Sequence, residues 1–167
     1  MKYAQWRKHD IANGPGVRTT LFVSGCTHYC KGCFNQMYWD FDYGNDFTKE
    51  FQDSLIEEIK QTGHFSLLGG EPFQAGPEIL QFLKRVKSET TADVWCWSGY
   101  KLEEILESSA NHPYRKEMLQ YIDILVDGKF QECNKNITLK YRGSSNQRVI
   151  DIKKTFDSQE IVLYDNM

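Results

Sequence analysis

Cys26-Thr27-His28-Tyr29-Cys30-Lys31-Gly32-Cys33 sets three thiols at the spacing C-x3-C-x2-C. Three thiolates so spaced can curl around one face of a 4Fe–4S cube. A cube takes four ligands, so three cysteines leave one iron with an open position. An open position is where chemistry happens, by the logic that separates catalytic from structural zinc. Two other readings stay open on the loop alone. One is structural zinc, with His28, Cys96 or Cys133 as fourth ligand. Zinc motifs usually pair a C-x2-C with a second pair downstream, and none follows here. The other is a closed electron-transfer cluster, which would want a clear fourth cysteine.

These thiols belong to a chain of 167 residues, 40% hydrophobic and 26% charged. That is one globular domain, residues 1–167. A closed eight-fold α/β barrel usually needs about 250 residues, so only part of one would fit. The net charge of −3 gives no electrostatic reason to expect nucleic acid as a partner. The start of the chain has no apolar signal region, and no apolar run approaches the roughly 18 residues of a membrane helix. The expectation is a cytoplasmic protein that binds no membrane. Five cysteines, three of them crowded together, do not read as a disulfide framework.

The elements that must position the loop alternate. Val17–Ser24 reads as a strand after the turn Asn13-Gly14-Pro15-Gly16, and the cysteines follow it directly. A helix is predicted from about Thr48, with Phe51, Leu55, Ile56 and Ile59 on one face. Strands follow at His64–Leu68, Asp93–Trp97 and Ile122–Val126. Helices are read at Glu78–Lys87 and around Leu102, Ile105 and Leu106. Ile137–Tyr141 and Val149–Ile152 are weaker strand candidates. Strand–helix alternation at this spacing implies parallel strands with crossover helices. The cysteines, Gly69-Gly70-Glu71, Ser98-Gly99-Tyr100 and Asp127-Gly128-Lys129 each follow a strand. The pattern therefore sets them along one rim, where α/β folds bind ligands.

The cysteine loop resembles the signature of the radical S-adenosylmethionine enzymes. Five further stretches resemble one branch, the activating enzymes of anaerobic (class III) ribonucleoside-triphosphate reductase. They are Asp10–Arg18, Gly69-Gly70-Glu71-Pro72, Trp95–Tyr100, Asp123–Phe130 and Arg142–Gln147. The resemblance runs over residues 6–148. It implies an α/β fold of radical SAM type, a partial, open β/α barrel with mostly parallel strands. It implies one 4Fe–4S cluster on Cys26, Cys30 and Cys33. S-adenosylmethionine would chelate the fourth iron, and one electron would split it into methionine and a 5′-deoxyadenosyl radical. That radical would take a hydrogen atom from a glycine Cα of the large reductase subunit. The electron would come from a flavodoxin-like donor. No catalytic side chain beyond cluster and cofactor is implied. An activase of the pyruvate formate-lyase type is the nearest alternative, but those relatives usually lack the Arg142–Gln147 stretch. A non-enzymatic iron–sulfur electron carrier is the second.

The resemblance also implies cofactor contacts. Gly69, Gly70 and Glu71 would meet the amino group of S-adenosylmethionine. Gly32, Cys33 and Phe34 would meet the adenine, although many relatives carry an aromatic where Gly32 stands. Ser98 would reach the carboxylate or ribose. Lys129 would neutralise the carboxylate, and Asp127 would order the loop or bind a cation. Each has an ordinary alternative. Glu71 could end a strand in solvent, Phe34 could pack in the core, and Ser98 could cap a helix. Asp127 and Lys129 could be rim charges. Trp95 and Trp97 read as core, Cys96 and Cys133 as spare thiols, and His28 as a loop residue.

Overall fold

Four short strands rich in apolar residues run side by side and in the same direction. The structure, a computed structural model, describes residues 1–166. In chain order the strands are β1 (Lys2–Asp10), β2 (Arg18–Val23), β3 (Asn45–Asp46), β4 (His64–Gly69), β5 (Asp93–Trp97), β6 (Ile124–Asp127) and β7 (Arg148–Asp151). They form one sheet in the order β3-β1-β2-β4-β5-β6-β7. The parallel heart is β2-β4-β5-β6, in register at Leu21, Leu67, Cys96 and Leu125. β1 and β7 flank it antiparallel, and β3 pairs with β1. The sheet is not closed: its end strands β3 and β7 do not pair with each other, and residues 162–164 bond along the outer side of β7.

The helices are α1 (Lys49–Thr62), α2 (Pro77–Glu89), α3 (Leu102–Ser108), α4 (Pro113–Met118) and α5 (Ile152–Ser158). α1 begins where the sequence predicts, because the Thr48 hydroxyl accepts from the Phe51 amide at 3.1 Å. It stops at Gly63, whose φ of 72° is the left-handed cap. Its inward face buries Leu55, Ile56 and Ile59, each contributing about 1.5–3 kcal/mol. No described helix is long and apolar enough to cross a membrane.

Strand side chains alternate between the two faces of the sheet. Leu21, Leu67, Val94, Cys96 and Leu125 pack under the helices. Trp95, Ile124, Val126 and Val149 form a separate cluster on the other face, joined by Trp97, Tyr141 and Tyr164. That second face rises into the cleft described below.

Two expectations need correction, and β1 stands where no strand is predicted. Its register shifts between Tyr3 and Gln5, so the period-2 signal is broken and both Tyr3 and Trp6 reach the helix-side core. Ile137–Tyr141 is not a strand. The Asn136 side chain accepts from the Thr138 amide at 2.9 Å, its carbonyl accepts from Leu139, and this Asx turn leaves Ile137 90% exposed. The last strand ends at Asp151, not Ile152. The Asp151 carboxylate caps α5 by accepting from the Lys154 amide at 3.0 Å.

Candidate cluster and cofactor site

The strand ends converge as the sequence pattern implies. The cysteine loop leaves β2, Gly70-Glu71 leaves β4, Ser98-Gly99 leaves β5 and Gly128 leaves β6. Between these loops lies a cleft of about 470 Å³. Cys26, Cys30 and Cys33 all line it. Phe22, Leu68 and Trp97 rise into it from the strands, and Arg7, Ala12 and Asn13 contribute from β1 and the loop after it.

Backbone lies against each thiol. The Asn35 amide donates to Cys33 at 3.4 Å, and the backbone at His28 and at Phe130 sits beside Cys26 and Cys30, where it favours the thiolate. Burial pushes the Cys26 thiol up to about 11, and the neighbouring Glu71, Cys30 and Cys33 add to the rise. Burial also pushes Cys30 up, followed by Cys33. The thiols are thus close enough to feel one another's charge. Among the described residues, no three His, Cys, Asp or Glu side chains form a group that could hold a metal ion. A 4Fe–4S cube takes each thiolate on a different iron, so its ligands stand apart. The donor set of three thiols around one cleft fits such a cube. It does not fit a ready-made zinc site, since the His28 ring is engaged elsewhere.

Gly69 and Gly70 let the end of β4 run hard against the end of β2. A Cβ on Gly70 would stand 2.6 Å from the Val23 carbonyl and 2.8 Å from that of Gly25. The Glu71 amide then donates to the Gly25 carbonyl at 2.8 Å, which fixes the residue before the cysteines. The Glu71 side chain is wholly buried, not solvated. It accepts from His28 Nε2 at 2.7 Å, the Gly99 amide at 2.7 Å, the Ser98 hydroxyl at 2.9 Å and the Phe73 amide at 3.0 Å. Ser98 is buried beside it and is no cap of α3.

Phe34 stands on the cleft wall, 65% exposed, with its ring 5.1 Å from Phe130 and the Lys135 ammonium 5.3 Å over it. Glu132 lies over Gly32, about where a side chain would begin. Asp127 is buried, and its carboxylate is taken by the Leu102 amide at 2.8 Å and by Arg148. Lys129 is exposed, near enough to Cys30 to favour its thiolate. Neither Asp127 nor Lys129 lines the cleft. Cys96 is in the helix-side core and Cys133 is exposed outside the cleft.

His28, Gln74 and Phe130 carry more of this site than the sequence suggests. Gln74 accepts from the Thr27 amide at 2.9 Å and donates to the Thr27 and Tyr100 hydroxyls, both at 2.8 Å. The clue in the sequence was a histidine between two ligand cysteines, and nothing nearby named its partner.

A protein-family model described as a 4Fe-4S single cluster domain matches residues 12–150. A protein of Vibrio cholerae is 43% identical over 154 residues, covering 88% of this chain and 96% of its own. One of Escherichia coli strain K12 is 42% identical over 156 residues, covering 89% and 97%. One of Enterobacteria phage T4 is 36% identical over 156 residues, covering 89% and 93%. All three are named anaerobic ribonucleoside-triphosphate reductase-activating protein. The chain belongs to this activating-protein family. The family model's span holds the cysteine loop, the cleft lining other than Arg7, and the Arg142–Gln147 stretch.

Proposed function

We propose that this chain activates an anaerobic ribonucleoside-triphosphate reductase by generating a glycyl radical on its large subunit. A 4Fe–4S cluster with one open iron supplies the electron that splits bound S-adenosylmethionine, giving the radical that takes a hydrogen atom from a glycine Cα. The observation that carries this reading is the set of three thiols on one cleft at the strand ends, with both other cysteines outside that cleft.

The chain's own residues then divide the work. Cys26, Cys30 and Cys33 hold the cluster. The backbone around Gly69 and Gly70 offers carbonyls to the amino group, and the wall from Cys33 to Phe34 offers an apolar surface to the adenine. Ser98 lies at the end of β5 on the same cleft. An open sheet suits the partial-barrel arrangement and leaves a side through which a protein segment can enter. The reductant is a flavodoxin-like protein and the setting is the cytoplasm. An electron carrier would need a fourth ligand, and both remaining cysteines lie away from the cleft. The names of the relatives favour the reductase over pyruvate formate-lyase as target.

The test is 5′-deoxyadenosine formation by the anaerobically reconstituted, reduced protein, followed by electron paramagnetic resonance of the added reductase. Product above a Cys30→Ala control and a glycyl signal on the reductase are expected. A verified 4Fe–4S protein that yields neither, with reductase present, would end the proposal.

A further inference from the structure

Glu71 is saturated by its own chain. A carboxylate offers about four lone-pair sites. His28, Gly99, Ser98 and Phe73 each donate to it, all at 3.0 Å or less. An incoming ammonium group would have to displace one of them.

His28 is held just as closely. Its side chain is 6% exposed. Its ring meets Tyr100 edge-on, with centroids 4.5 Å apart. A Cβ on Gly99 would come within 2.5 Å of that ring, so the glycine is what lets the imidazole lie against β5's end. The residue stands in the cysteine loop itself, two positions after Cys26. One histidine therefore joins a buried carboxylate after β4 and the backbone after β5 to the cysteine loop after β2.

We propose that Glu71 is a positioning residue that acts through His28, and that it does not bind the ammonium group of S-adenosylmethionine. Glu71, His28 and Gly99 form a lock that sets the Cys26 end of the cysteine loop. The inference rests on the assignment of the cluster to Cys26, Cys30 and Cys33. Partners one step removed from a metal ligand orient it and tune the metal. The Gly–Gly–Glu stretch then has two separate tasks, close backbone approach at the glycines and loop locking at the glutamate.

Four full-length single variants, His28→Ala, His28→Gln, Gly99→Ala and Glu71→Gln, and the double variant of His28→Ala with Glu71→Gln test this. The first measurement is hydrogen exchange of residues 26–33 in the metal-free protein, which needs no cluster. His28→Ala and Gly99→Ala speed exchange there, and His28→Gln, which keeps a donor where Nε2 stood, restores protection. The second uses the reconstituted protein, a chelator, S-adenosylmethionine and its analogue lacking the α-amino group. His28→Ala and Gly99→Ala hold cluster iron about ten- to a hundredfold less tightly, His28→Gln stays near wild type, and Glu71→Gln adds nothing to His28→Ala. Every variant keeps the wild-type ratio of affinities for the two compounds. If Glu71→Gln instead drives that ratio toward one while His28→Ala keeps it, Glu71 holds the ammonium and the proposal is wrong. Unchanged exchange in both His28→Ala and Gly99→Ala would also overturn it. A wild-type chain that takes up no 4Fe–4S cluster would sink the functional reading, while the exchange data would still decide the lock.

Discussion

Three sulfur atoms, each beside a stretch of backbone, form an electrostatic arrangement as well as a ligand set. Backbone N–H groups beside sulfur favour electron density there, so they would favour the reduced form of a bound cluster. These neighbours are backbone, and a ligand motif read as cysteine spacing cannot reveal them. The thiols were legible because ligand chemistry is written in residue type. His28 was not, because its partner Glu71 lies 43 positions away and only the fold brings them together. The thiol count gives a direct prediction. Cys26→Ala, Cys30→Ala and Cys33→Ala each lose most of the brown iron–sulfur absorbance after anaerobic reconstitution, while Cys133→Ser keeps it. Loss of colour in Cys133→Ser would restore the closed electron-carrier cluster.

At the scale of elements, the crossing from β1 to β2 holds up the floor of the cleft. Asp10 closes it by accepting from the Ala12 amide at 2.9 Å, the Asn13 amide group at 2.7 Å and the Thr20 hydroxyl at 2.7 Å. Arg18, fully buried, ties it from below through the Pro15 carbonyl at 3.0 Å, Ser66 at 2.6 Å and Asp93 at 2.9 Å. Burial works against the Asp10 charge, but the hydrogen bonds from Asn13, Thr20 and Ala12 win and hold its carboxyl below the ordinary 3.8. A depressed folded value means that the stabilisation is complete above 3.8 and is lost as pH falls through that lower value. Asp10→Asn is therefore expected to cost about 1–3 kcal/mol at pH 7 in urea unfolding, with the gap to wild type closing below about pH 4. A gap constant with pH would mean that packing, not charge, holds the turn. Arg18→Met should cost about 2–4 kcal/mol, because it strips hydrogen bonds from buried Ser66 and from Asp93, whose other partner is His64. The turn itself was visible as Asn13-Gly14-Pro15-Gly16. Its anchors were not, since Arg18 also read as an ordinary strand residue. The helices and parallel strands were legible for the opposite reason: their periodicity is local. β1 hid behind a bulge, and Ile137–Tyr141 misled because one Asn side chain outcompeted a β-branched run.

For the whole molecule, the segment from Gly128 to Gln147 closes what the open sheet leaves ajar. It brings the Phe130 backbone beside Cys30 and the Phe130 ring to Phe34. Few of its contacts are buried apolar ones, so its order depends on polar ties. Gln147 makes three of them, accepting from the Gly143 and Ser144 amides at 2.9 and 3.2 Å and donating to the Gly128 carbonyl at 2.9 Å. Arg148 fixes the far end on Asp127, with contacts at 2.5 and 3.0 Å. Segments held this way open separately from the core. Gln147→Ala should favour that local opening by about 1.5–3 kcal/mol, which is about ten- to a hundredfold in its equilibrium. Hydrogen exchange at the Asn136 and Ser145 amides, bonded within the segment to the Gly143 and Asn134 carbonyls, should quicken by that factor, while amides of β2, β4 and β5 keep wild-type protection. Because the Phe130 backbone lies beside Cys30, the cluster of the reconstituted variant should also yield its iron to a chelator sooner. Equal acceleration in β4 and β5 would instead mean that the segment and the sheet unfold as one unit. In that case the cleft would have no independently moving side, and entry of a protein segment would have to rely on the gap that the unclosed sheet already leaves.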